Sequence, residues 1–110
     1  VTLSVAFQES SLNVRAIGDL NPATRDYGLM QVNEANVKRF RLNRKRLVTD
    51  ARYAIEAGCV ILELIADDPR PYWIGLYRTG PAIKHPRSIQ IAKSYHKLVI
   101  KRAQRLGYQE

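Results

Sequence analysis

Residues 5–13, VAFQESSLN, and residues 26–33, DYGLMQVN, are the two stretches on which the reading of this 110-residue chain turns. The first sets a lone carboxylate, Glu9, at the end of a short apolar helical pattern formed with Leu3, Val5, Ala6 and Phe7. On helical spacing, Glu9 falls near the Val5/Ala6 side and should border the apolar face. The second offers a glycine followed by an apolar pair and an amide, Gly28-Leu29-Met30-Gln31. Between them, residues 12–27 hold Asn13, Gly18, Asp19, Asn21, Pro22 and Asp26 with no sustained period, which reads as a loop.

Outward from there the pattern is helical. A second helix is expected from about Leu29 to Phe40, with Met30, Val32 or Asn33, Val37 and Phe40 facing inward. RLNRKRL follows and reads as basic and exposed. Thr49 or Asp50 is a suitable N-cap for the clearest helix, in which Ala51, Ala54, Ile55, Gly58, Ile61, Leu62 and Ile65 recur at i, i+3, i+4 and i+7. Cys59, Val60 and Leu64 add apolar character to its far side, so its second half should be deeply buried. Asp67-Asp68-Pro69 ends it. A short aromatic helix is expected over residues 71–77, closed by Thr79-Gly80-Pro81. A final helix is expected from about Ser88 to Leu106, with Ile91, Ala92, Tyr95, Leu98, Val99 and Leu106 inward. Lys93, Lys97, Lys101 and Arg105 fall four apart on its opposite side. No strand of useful length and no repeat is visible. The expected fold is all-α: one domain over residues 1–110, of about five helices.

Composition narrows the chemistry. A hydrophobic content of 45% suits a globular domain, and no run is long enough to cross a bilayer. The chain opens at Val1 inside a helical pattern, so an export signal is expected to lie outside it. The single cysteine, Cys59, excludes an internal disulfide and reads as a small core residue. His85 and His96 lack partners at metal-ligand spacing, so no metal or cofactor is expected. Eighteen Lys and Arg against ten Asp and Glu give +8, which favours polyanionic surroundings such as nucleic acid, anionic lipid or a bacterial wall.

Glu9 is the candidate acid. Its place near a helix C-terminus, among apolar neighbours, should disfavour ionisation and suit it to donate a proton near neutrality. Glu9-Ser10, Asn13, Ala16 and then Gly28-Leu29-Met30-Gln31-Val32-Asn33 resemble the goose-lysozyme-like lytic transglycosylases of the SLT type. The likeness points to the short forms that accompany conjugation, secretion machines or phages. The resemblance implies a lysozyme-like helical domain in which Glu9 is the sole catalytic acid and base. It implies Ser10 as a local structural hydroxyl, Gly28 as a turn close to the ligand, and Met30 and Gln31 as sugar contacts. Tyr77, in Leu76-Tyr77-Arg78-Thr79-Gly80, and Tyr95, in SYHK, would be the two later tyrosines.

The chain departs from the family pattern twice. Arg78 stands where the family has Asn, and Gly18 stands where it often has Ser nine positions after the Glu. Asp19, Asn21 and Asp26 are candidates for the missing polar group. The implied reaction is non-hydrolytic cleavage between N-acetylmuramic acid and N-acetylglucosamine, leaving a 1,6-anhydro end. The implied setting is the bacterial cell envelope, the periplasm, with a monomer acting on peptidoglycan strands. Two rivals stay open: an inverting hydrolase using Asp19 or Asp26 as a second carboxylate, and a basic helical module binding nucleic acid. No recognition-helix pattern supports specific nucleic-acid binding.

Overall fold

The computed structural model describes residues 1–19 and 21–107. Its Cα packing divides the chain into two compact units, Thr2–Cys59 and Val60–Glu110 with Val1. The helical expectation holds. Among the described residues there are six α-helices, with one small three-stranded sheet that the sequence did not disclose.

The first unit begins with α1, Thr2–Ser10, which buries Ser4, Val5 and Ala6 and leaves Leu3 and Phe7 exposed. Residues 12–27 are not wholly loop. Strands β1, Ile17–Gly18, β2, Asp26–Tyr27, and β3, Val32–Asn33, pair antiparallel in the order β1-β2-β3, with Ile17 opposite Tyr27 and Tyr27 opposite Val32. Two-residue strands are too short to show an alternating pattern, which is why periodicity missed them. The β1–β2 connection is instead held by side chains. Asp19 Oδ1 accepts from the Asn21 N–H at 2.9 Å, and the Thr24 hydroxyl donates to Asp19 Oδ2 at 2.6 Å.

The second helix starts later than the apolar spacing suggests. Helix α2 is Glu34–Phe40, because the Asn33 side chain caps it by accepting from the Ala35 N–H at 3.0 Å. Residues 29–31 therefore belong to a turn between β2 and β3. RLNRKRL is also ordered: Asn43 caps the short helix α3, Arg44–Leu47, through the Arg46 N–H, and Leu47 is fully buried.

The Glu34 carboxylate, buried at the start of α2, takes both arms of Arg44 at 2.8 and 2.6 Å and the Tyr27 hydroxyl at 3.1 Å. The Arg44 guanidinium, chiefly, holds the Glu34 carboxyl down at about 2 despite burial. Sheet, α2 and α3 are thereby joined around one ion pair.

Helix α4, Ala51–Ala66, has Asp50 rather than Thr49 as its cap, since Asp50 Oδ1 accepts from the Tyr53 N–H at 3.1 Å. Its residues 51–59 lie in the first unit. Ala54, Ala57, Gly58, Ile61 and Leu62 are buried, whereas Ile55, Val60 and Leu64 are exposed. The expected deep burial of its second half is thus corrected: only one stripe is covered. Cys59 is partly exposed, and its sulfur lies 3.5 Å from the Thr2 hydroxyl.

In the second unit, a 3-10 turn, Trp73–Gly75, runs into α5, Leu76–Thr79, in place of one aromatic helix. Helix α6 is Pro86–Gln104. It starts two residues early because His85 Nδ1 accepts from the Arg87 N–H at 3.0 Å and Pro86 takes the first helical position. The covered stripe of α6 is Ala92, Tyr95, Val99, Ile100 and Ala103. Ile91, Leu98 and Leu106, expected inward, are exposed. The stripe is turned because Gly75 lies against the Ala92 backbone, where a Cβ on residue 75 would collide with the Ala92 carbonyl. His96 accepts from the Ile74 N–H at 3.3 Å and meets the Trp73 ring edge-on, a packing role.

Candidate functional site

Glu9 sits in the last turn of α1 and is half-buried. The next residue fixes where that helix end points. The Ser10 hydroxyl lies 2.7 Å from the Leu29 carbonyl and 3.0 Å from the Ala6 carbonyl of its own helix, and the shorter contact takes its proton. The α1 terminus is thus pinned to the turn that carries the glycine and the amide. Ser11 and Leu12, both with positive φ, then lead the chain out of the helix, and the Ser11 N–H closes the last turn onto the Phe7 carbonyl at 2.8 Å.

The turn itself is built from backbone constraints. Gly28 has φ +75° and is buried with its Cα face against the Leu47 carbonyl, so any Cβ there would collide with backbone. The glycine is demanded by the end of α3, a reason distinct from the close ligand approach expected from the sequence. Its N–H donates to the Ala16 carbonyl at 2.7 Å, and the Gln31 N–H closes the turn onto the Gly28 carbonyl at 3.0 Å.

Gln31 is held through both its backbone and its side-chain amide. Its backbone is left-handed, φ +49°, a conformation that costs a non-glycine residue about 1–2 kcal/mol. Its amide Nε2 donates to the Ala16 carbonyl at 3.2 Å and to the Gly28 carbonyl at 3.0 Å. The donor half is therefore spent on the hairpin. The acceptor half, Oε1, lies over Gly18: a Cβ on residue 18 would come within 2.5 Å of it. Gly18 is the position where the family pattern often carries Ser, so here the amide oxygen of Gln31 fills the space that such a side chain would need. Nothing in linear spacing couples residues 18 and 31; only the β1–β2–β3 register does.

Met30 is fully buried, and its side chain covers Gly58 of α4, where an added Cβ would lie 2.5 Å from the Met30 methyl. Leu29 is buried as well. Met30, expected as a sugar contact, fills the core of the first unit in this structure. Asp19 and Asn21 are tied into their own loop, and Asp26 Oδ1 accepts from Asn33 Nδ2 at 3.0 Å. Thr24, first, and the Asn21 backbone hold the Asp19 carboxyl below its ordinary range. Tyr77 lies on α5, partly exposed, and Tyr95 is buried on α6, both in the second unit; Arg78 is exposed.

Half-buried Glu9 thus neighbours Ser10, which holds the end of α1 to the glycine turn, within a mostly helical fold consistent with a lysozyme-like domain. Among known families, the model described as "Transglycosylase SLT domain" matches residues 1–99. The chain belongs to that family. It is similar to the invasion protein IagB of Salmonella typhimurium, in strains SL1344 and LT2, and of Salmonella typhi. In each case it is 30% identical over 101 residues, which cover 87% of this chain and 61% of the relative. The chain thus spans a little over three fifths of the length of these curated relatives. No solved structure matches.

Proposed function

We propose that this chain is the catalytic domain of a peptidoglycan lytic transglycosylase, with Glu9 acting first as acid and then as base. Protonated Glu9 donates to the glycosidic oxygen between N-acetylmuramic acid and N-acetylglucosamine. The C2 acetamide of the muramoyl sugar supports the oxocarbenium-like carbon, a substrate-assisted departure from the two-carboxylate scheme. Ionised Glu9 then takes the proton of that sugar's C6 hydroxyl, whose oxygen closes onto C1. The product is a 1,6-anhydro end, and no water is consumed. Proximity favours this outcome, because the internal hydroxyl is already held beside the reacting carbon.

The observation that carries the reading is the Ser10–Leu29 hydrogen bond, which fastens the end of the Glu9 helix to the Gly28–Gln31 turn. The local engagement of Asp19 and Asp26 supports one acid over two. Gly28 shapes the turn, Gln31 offers its amide oxygen, and Tyr77 and Tyr95 are further candidate sugar contacts. The setting is the bacterial cell envelope, the periplasm, and the relatives' name, invasion protein, accords with a part in invasion. No helix among the described residues is long and apolar enough to cross a membrane.

The test is digestion of purified sacculi followed by mass spectrometry of the released muropeptides. Anhydro products, one water lighter than hydrolytic ones, are expected. Glu9→Gln should lower their release by roughly 10²- to 10⁴-fold or more with the fold intact. Hydrolysed ends, or undiminished release by the variant, would reject the reading.

A further inference from the structure

We infer that the outer face of α6 is a docking surface for an anionic phospholipid bilayer. This inference is independent of the glycan chemistry at Glu9. Residues 84–107 contain Lys84, Arg87, Lys93, Lys97, Lys101, Arg102 and Arg105 and not one carboxylate. The first unit treats its charges differently. There Arg44, Arg46 and Arg52 are paired with Glu34, Asp50 and Glu56. On α6, Lys93, Lys97, Lys101 and Arg105 are all exposed at four-residue spacing, so one side of a 19-residue helix carries a single sign of charge. Like charges at that spacing repel, a cost that an anionic partner would relieve.

The second observation concerns shape and polarity. Leu98 is 51% exposed and Ile91 is 45% exposed, and the two lie about two turns apart along one edge of the same helix, Leu98 being adjacent to Lys97 in sequence. A hydrated phosphate polymer has no use for two protruding branched side chains. A bilayer interface does, because basic groups meet lipid phosphates while the apolar tips enter the acyl boundary. Leu106, also exposed, extends the apolar border at the helix end. The combination of an acid-free cationic row and an apolar edge selects lipid over wall polymer or nucleic acid.

Vesicles of phosphatidylcholine, with and without phosphatidylglycerol, test this with the full chain by co-sedimentation at low and physiological salt. Binding only to the phosphatidylglycerol vesicles, weakened but not abolished by salt, is expected. The variant K93Q/K97Q/K101Q/R105Q should lower partitioning by roughly 10²- to 10³-fold, at about fivefold per basic residue near the surface. A control, K38Q/R39Q/R41Q/K45Q, removes the same charge from exposed positions of the first unit and should leave most of the binding. Leu98→Ser should remove the salt-resistant part. Circular dichroism of each variant checks that α6 remains helical. The inference is overturned by equal binding to neutral vesicles, by equal losses in the two quadruple variants, or by capture on polyphosphate without capture on vesicles.

Discussion

The amide oxygen of Gln31 occupies the space above Gly18 that any side chain at residue 18 would claim. Gln31 cannot simply swing aside, because its Nε2 is bonded to the carbonyls of Ala16 and Gly28 and its backbone is held left-handed. One hairpin register thus links a missing side chain on β1 to an oriented acceptor on the next turn.

Gly18→Ser should therefore displace the Gln31 amide rather than add a second polar group beside it. The backbone at residue 18 is extended and tolerates Ser, so the stability loss should stay within about 1–2 kcal/mol. Muropeptide release should fall about tenfold. Combined with Gln31→Ala, the serine variant should cost less than the sum of the two single changes, which a double-mutant cycle on release rates would measure.

Ser10→Ala removes the hydroxyl that fastens α1 to the turn and leaves the Leu29 carbonyl without that donor. Loss of such a partly buried bond costs about 1–3 kcal/mol. The expected signature is a lower kcat with little change in KM, since Ser10 positions Glu9 and need not touch sugar. Ser10→Thr, which keeps the hydroxyl, should restore most of the rate. A KM change alone would mean that residue 10 meets the glycan directly.

Met30→Ala distinguishes packing from sugar contact. With its side chain wholly buried over Gly58, Met30 should behave as a core residue and cost about 2–5 kcal/mol in urea unfolding. Well below its unfolding midpoint, the variant should retain near-normal KM. A stable variant with a raised KM would return Met30 to the glycan surface.

Acid should loosen the first unit through Glu34. Its carboxyl titrates at about 2 when folded, against an ordinary 4.5, because Arg44 and Tyr27 stabilise the ionised form. A depressed folded pKa supplies stability that is fully present above about pH 4.5 and is lost as the pH falls towards 2. The unfolding midpoint should decline through that window. In Glu34→Gln the midpoint should be lower at neutral pH and its slope with pH shallower. A residual slope is expected from Asp68, whose carboxyl is likewise held at about 2 by Arg70 in the second unit. Asp68→Asn should reduce it, leaving the part contributed by Asp19 and Asp50, whose carboxyls are also held below their ordinary range.

Much of this was legible in the linear chain. The helical class, the α4 stripe through Ala54, Ile61 and Leu62, and a cap at Thr49 or Asp50 all depend on neighbours within a few positions. Local spacing and capping chemistry encode such features directly. The three strands, the buried Glu34–Arg44–Tyr27 cluster, the core role of Met30 and the turned stripe of α6 do not. Each is settled by a backbone approach between distant segments: Gly28 on Leu47, Gly75 on Ala92, Met30 on Gly58. Which residues carry acid, amide and charge is written in the sequence. Which face of each is covered, and whether an amide such as Gln31 is spent on its own fold or left open to a ligand, is decided only when close packing excludes one side chain in favour of another.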